Sequence, residues 1–189
     1  MVRVLAFSGS LRVDSLNRKL VRIAAEAAEK AGGEVTLIHL RDYPLPVFDQ
    51  EIEAAETPEN AKRLKELFLN HDGLLIASPE YNSSVTAALK NAIDWVSRGG
   101  PGEPAVAAFR GKVAALMSAS TGALGGLRGL VHLRSILGNI QVLVLPDQVS
   151  IGGATDAFND VGQLIDPKRQ AGVESLGTKL VELLQKLKA

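Results

Sequence analysis

Arg12 stands in the stretch Ser8-Gly9-Ser10-Leu11-Arg12-Val13-Asp14-Ser15-Leu16-Asn17, between a short apolar run and a helix-like one. A loop of this kind, leaving a strand and entering a helix, aims free backbone amides and the positive end of the helix dipole at one point. The arginine adds a planar, permanently charged donor fork that suits phosphate oxygens, and Ser10, Ser15 and Asn17 can add side-chain donors. A bound phosphate is the natural tenant. The alternative for the same residues is purely structural: Ser15 caps the helix, Gly9 turns the chain and Arg12 is a solvated surface side chain.

Two further segments have related composition. Ser78-Pro79-Glu80-Tyr81-Asn82-Ser83-Ser84 follows a five-residue apolar run. Pro79 keeps Ser78 extended, which leaves backbone groups near Tyr81 and Asn82 available to a planar heterocycle, with Tyr81 offering an aromatic face. Here Ser84 reads as the cap of the next helix, and Glu80, a carboxylate with no partner visible in the sequence, is not taken as a general acid. The third segment, Ser118-Ala119-Ser120-Thr121-Gly122, is another amide-rich turn. A phosphate in the first loop and a flat ring between the other two describe a mononucleotide, of which flavin mononucleotide (FMN) is the redox-competent choice.

The elements that must position these loops follow from the apolar pattern. Short aliphatic runs at Val2 to Phe7, Glu34 to Leu40, Gly73 to Ala77, Val113 to Met117 and Gln141 to Leu145 read as strands. Helical stripes separate or follow them at Asn17 to Ala31, Pro58 to Asn70 with Thr57 as cap, Val85 to Ser97, Leu127 to Leu137 and Val173 to Leu187. Alternating βα units predict a parallel sheet between two helical layers, with right-handed crossovers. In that architecture ligands bind outside the carboxyl ends of the strands, where all three loops fall.

Composition excludes several alternatives. The 189 residues carry 21 basic and 21 acidic side chains, so the excess positive charge that nucleic-acid or polybasic membrane surfaces use is missing. There is no cysteine, hence no thiol nucleophile, disulfide or cysteine-bound metal, and redox chemistry must come from a cofactor. The dinucleotide G-x-G-x-x-G, the NTPase phosphate loop, H-E-x-x-H and G-x-S-x-G are all missing, and no metal site is expected. The apolar start at Met1 to Phe7 reads as a strand, not a secretory signal, and no segment has a membrane-spanning length. A single domain over 1–189 in the cytoplasm is expected. The sequon-like Asn82-Ser83-Ser84 then has no secretory context. His39, His71 and His132 read as structural, and Gln148 to Asp166 shows no recognisable pattern.

The stretches GSLRVDSLNRKL (Gly9 to Leu20), SPEYNSSVTAALKNAIDW (Ser78 to Trp95) and SASTGALGG (Ser118 to Gly126) resemble, in order and separation, the NADPH-dependent FMN reductase family, which includes chromate, quinone and azo-dye reductases. The resemblance extends over about the first 145 residues. It implies a three-layer, flavodoxin-like α/β sandwich with a five-stranded parallel sheet of order 2-1-3-4-5. It also implies bound FMN, with NADPH or NADH as co-substrate and a small-molecule electron acceptor as the second partner. Ser10, Leu11, Arg12, Ser15, Leu16 and Asn17 would surround the FMN phosphate. Pro79, Glu80, Tyr81, Asn82 and Ser83 would border the ring, and Ser118, Ser120, Thr121 and Gly122 would complete its cradle. No side chain is assigned a catalytic role, because flavin N5 carries the chemistry. The resemblance further implies a homodimer or homotetramer through helix 85–97, in which Trp95 is either an interface anchor or an intrachain core residue. The arm Tyr43 to Phe48 either joins that pairing or roofs the flavin. A flavodoxin-type electron carrier without its own NAD(P)H turnover is the alternative, although such carriers are strongly acidic. A degenerate α/β scaffold is a third reading.

Overall fold

A computed structural model describes residues 1–100 and 102–188. In chain order the elements are β1 (Val2–Ser8), α1 (Leu16–Lys30), β2 (Gly33–His39), a 3-10 turn (Leu40–Asp42), α2 (Gln50–Ala55), α3 (Glu59–Leu69), β3 (Gly73–Ala77), β4 (Glu80–Tyr81), β5 (Ser84–Val85), α4 (Ala87–Val96), β6 (Val113–Ala119), α5 (Leu127–Asn139), β7 (Leu143–Ile151), a second 3-10 turn (Ala154–Asp156) and α6 (Pro167–Lys188). The main sheet is wholly parallel with order β2-β1-β3-β6-β7, and β4 and β5 form a separate antiparallel ribbon. Counting only the five main strands, this is the expected 2-1-3-4-5.

Strand period explains the three layers. Along β1, Val2, Val4 and Ala6 face a core shared with α1 and α6, while Leu5 and Phe7 face a core shared with α3, α4 and α5. Likewise, β6 sends Val113, Ala115 and Met117 one way and Ala114 and Leu116 the other. Central strands covered on both faces have little use for polar side chains, which is why β3 and the Val113–Met117 part of β6 read as uninterrupted apolar runs and β1 as one broken only by exposed Arg3.

Several boundaries differ from expectation. The last strand runs to Ile151 instead of stopping at Leu145, through Pro146 and a register irregularity opposite Ala114 and Leu116. An edge strand tolerates a proline and a bulge because one of its hydrogen-bonding sides is unpaired. The final helix begins at Pro167, six residues before Val173, with Asp166 Oδ1 accepting from the Lys168 and Arg169 amides. Thr57 does not cap α3, whose N-cap is Pro58 with no side-chain bond. Ser84 does not cap α4 either. It lies in β5, and Thr86 takes the role, its Oγ1 accepting from the Leu89 amide at 3.2 Å.

Trp95 belongs to the intrachain core. It is 2% exposed, donates from Nε1 to the Pro46 carbonyl at 2.9 Å and packs edge-on against Phe48 at 4.9 Å between centroids. Asn91 completes the latch, accepting from the Phe48 amide and donating to the same Pro46 carbonyl. The arm is thereby fastened along α4. No helix among the described residues is long and apolar enough to cross a membrane.

Candidate functional site

The loops after β1, β3 and β6 meet at the carboxyl edge of the sheet around a cavity of about 170 Å3. Its walls include Ser10, Arg12, Ser15, Leu16 and Asn17 from the first loop, Pro79, Glu80 and Tyr81 from the second, and Ser120 and Thr121 from the third. Leu11 lies outside these walls and lines two adjoining hollows. Asn82, Ser83, Ser118 and Gly122 are not part of the lining.

In the first loop the hydroxyls serve the backbone. Ser8 Oγ accepts from the Ser10 amide, Ser10 Oγ from the Arg12 amide, and Ser15 Oγ from the Arg18 amide at the start of α1. Their own hydroxyl hydrogens stay available as donors, and so do two of the amides that a helix start leaves without an intrahelical partner. Among the described residues, the Leu16 and Asn17 N–H groups have no partner. The Asn17 side chain is anchored, its Nδ2 donating to the Ala119 carbonyl at 2.8 Å and its Oδ1 accepting from the Ala119 amide at 2.9 Å. Its backbone N–H and the second N–H of Nδ2 are what it can offer an anion. Arg12 is exposed and makes no ion pair among the described residues. Two free amides and an uncommitted guanidinium at one cavity fit a phosphate.

The second loop is the β4–β5 ribbon. Asn82 and Ser83 have φ of 50° and 66°, the left-handed pair that a two-residue hairpin turn needs. Thr86 ties the ribbon's exit to the first loop, donating from Oγ1 to the Gly9 carbonyl at 2.6 Å.

Glu80 does have a partner, contrary to the sequence reading. Arg128 donates to Oε1 from Nε at 2.8 Å and from Nη2 at 2.6 Å, and the Gly129 amide donates to Oε2 at 3.1 Å. Glu80 thus caps α5 from outside, which a glycine at its N-cap, Gly126, cannot do with a side chain. Burial alone would push this carboxyl up, but the Gly129 amide and the Arg128 guanidinium outweigh it and hold it below its ordinary value. An anchored, ionised carboxylate is a poor proton donor. A folded value below the unfolded one, about 4.3, stabilises the protein above that pH, and the gain is lost as pH falls through the folded value. Arg128→Met is accordingly expected to cost about 1 kcal/mol at pH 7, with the gap to the parent closing below about pH 4.3. Urea melts at several pH values measure it, and a gap that does not change with pH would refute the pairing.

In the third loop Ser120 Oγ accepts from the Gly122 amide at 3.3 Å. Ser118 is fully buried behind the wall, and its Oγ has no hydrogen-bond partner among the described residues. It presses on Gly126, where a Cβ would lie 1.9 Å from that oxygen and where φ is +87°. Each of the three histidines has a partner within the chain. His71 contacts the Leu67 carbonyl and Thr36 Oγ1, His132 contacts Ser84 Oγ, and His39 contacts Arg18. Burial and the Arg18 charge hold the His39 imidazole below its usual range.

Arg128, Thr86 and Gly126 shape the site without having been singled out from sequence. Arg128 and Glu80 are 48 positions apart, and no local spacing announces such a pair. Gly126 carried a usable signal, a Gly-Gly step directly before a helical stripe.

Residues 2–156 match the family described as NADPH-dependent FMN reductase. An NAD(P)H-dependent FMN reductase of Pseudomonas aeruginosa is 38% identical over 172 residues, covering 88% of this chain and 86% of that protein. A quinone reductase of Escherichia coli is 32% identical over 190 residues, covering 99% and 97%. Among solved structures, FerB, a flavoenzyme NAD(P)H:(acceptor) oxidoreductase from Paracoccus denitrificans, superposes with a TM-score of 0.84 at 29% identity, covering 98% of each chain. With a family match over most of the chain and three amide-rich loops meeting at the sheet edge, the chain belongs to the NADPH-dependent FMN reductase family.

Proposed function

We propose that residues 1–189 form one FMN-binding domain that oxidises NADPH or NADH and reduces a small-molecule acceptor of the quinone, flavin, chromate or azo class. The observation that carries this reading is the cavity in which the free Leu16 and Asn17 amides and the unpaired Arg12 converge. Those groups would hold the FMN phosphate. Tyr81, 55% exposed, would border the ring together with the ribbon backbone at Asn82 and Ser83. When bound, FMN supplies the two-electron redox centre that no side chain here provides. Glu80 holds the ribbon against α5 and keeps its charge, so proton delivery is left to solvent at the open face. Cytoplasmic location and self-association through helix 85–97 belong to the same proposal. The apolar stripe of α4 is already buried within the chain, so a partner would meet Ala87 and Lys90.

Protein purified with FMN should be yellow, and NADPH or NADH should bleach it under anaerobic conditions, with colour returning on adding a quinone. Flavin that stays oxidised with both nicotinamides would leave an electron carrier, and failure to retain FMN on reconstitution would leave a degenerate scaffold.

A further inference from the structure

The cavity between the three loops does not end at Tyr81. Ser10, Arg12 and Tyr81 are shared with a hollow of about 430 Å3 on the α4 side of the first loop. Leu11, Arg41 and Ala88 are in turn shared between that hollow and another of about 430 Å3 that reaches the arm at Tyr43 and Leu45. The three hollows adjoin through these shared walls and together form a stepped trough along the loop edge. Arg12 and Arg41 line its middle section and Arg41 its outer section, and among the described residues no carboxylate lines either.

Arg41 stands where the middle and outer sections join, just past the carboxyl end of β2. It is exposed, and its one hydrogen bond is a long one of 3.3 Å to the Leu11 carbonyl. Like Arg12 it makes no ion pair among the described residues. Leu11 and Tyr81, 48% and 55% exposed, offer flat apolar surface beside it. In a chain with equal numbers of acidic and basic residues, this is a local positive excess over an apolar floor.

If Arg12 and the α1 amides serve the flavin phosphate, one guanidinium in the trough, that of Arg41, is left without an anionic partner among the described residues. We propose that Arg41 engages the phosphate groups of the reduced pyridine dinucleotide and so sets affinity for the hydride donor, with Leu11 and Tyr81 receiving its planar parts. The donor is a polyanion with either nicotinamide, whereas a quinone is uncharged, so a positive trough favours the donor over a quinone at this position. The planar fork of arginine suits phosphate oxygens. This inference rests on the function proposed above.

The test is calorimetric titration of the FMN-loaded protein with two unreactive nucleotides, adenosine 2′,5′-bisphosphate and 5′-ADP, in parent, Arg41→Gln and Arg41→Lys forms. Arg41→Gln is expected to weaken one or both about tenfold, with FMN affinity unchanged and Arg41→Lys recovering part of the loss. A loss confined to the bisphosphate assigns Arg41 to the 2′-phosphate, and a loss with both assigns it to the 5′ side. Unchanged affinity for both nucleotides overturns the proposal. A higher FMN dissociation constant in Arg41→Gln also overturns it, since that places Arg41 at the flavin. A parent protein that NADPH or NADH bleaches but that binds neither nucleotide overturns it alone, whereas FMN-loaded protein that neither nicotinamide bleaches overturns the functional reading together with it.

Discussion

Arg12→Ala is expected to weaken FMN binding by about 10- to 150-fold, the equivalent of a charged hydrogen bond worth about 1.5–3 kcal/mol. The side chain is exposed and free of carboxylate partners, so its charge is not already spent. The loop fold does not depend on it, because the contact that orders residue 12 is its backbone N–H to Ser10 Oγ, which alanine retains. Quenching of flavin fluorescence on titrating the apoprotein measures the change, and far-ultraviolet circular dichroism checks that the fold is intact. Because the group is solvated, the parent's affinity should also decline with added salt more steeply than the variant's. An unchanged dissociation constant removes Arg12 from the phosphate site and leaves the α1 amides to hold it alone.

The second large effect lies in the scaffold. At Gly177 in α6 a Cβ would stand 2.1 Å from the Ala24 carbonyl oxygen and 3.0 Å from both the Ala24 carbonyl carbon and the Ala28 nitrogen of α1. These are backbone atoms of a helix and have no rotamer by which to withdraw. Gly177→Ala should therefore destabilise the protein by about 3 kcal/mol, lowering Tm by about 6–12 °C for a chain of this size, even though alanine is the better helix former. Gly138 in α5 is the control, since nothing lies within 4 Å of a Cβ there. Gly138→Ala should be neutral or stabilising by up to about 1 kcal/mol. Equal Tm values for parent and Gly177→Ala would refute the close approach of α1 and α6. Where α1 is forced outward, the Leu16 and Asn17 amides move with it, so FMN affinity should fall along with stability.

The contrast between these two sites shows what was legible in the sequence. β1, β3 and β6 were readable because burial on both faces demands mostly apolar runs, the less buried edge strands β2 and β7 from their shorter β-like apolar stretches, and the loops because they follow those runs directly. Strand order 2-1-3-4-5 came from the resemblance, since periodicity carries no information on which strands pair. The extension of β7 through Pro146 was not readable, because its pairing with β6 overrides a local pattern that ends at Leu145. The start of α4 was misplaced because Ser83, Ser84 and Thr86 are all competent caps. The left-handed turn at Asn82 and Ser83 sends Ser84 back into the ribbon and leaves the role to Thr86. Glu80–Arg128 and the trough at Arg41 depend on contacts between distant segments, which no local spacing records.

The two hydrogen bonds between Asn17 and Ala119 bear on how the site meets its ligand. They join the start of α1 to the end of β6, so the chain's own contacts fix the first and third loops relative to each other. Little ordering entropy then remains to be lost on association, and more of the contact free energy appears as affinity. On the proposed function, such a site would hold FMN between turnovers and leave the outer hollows to exchange one reactant for the next.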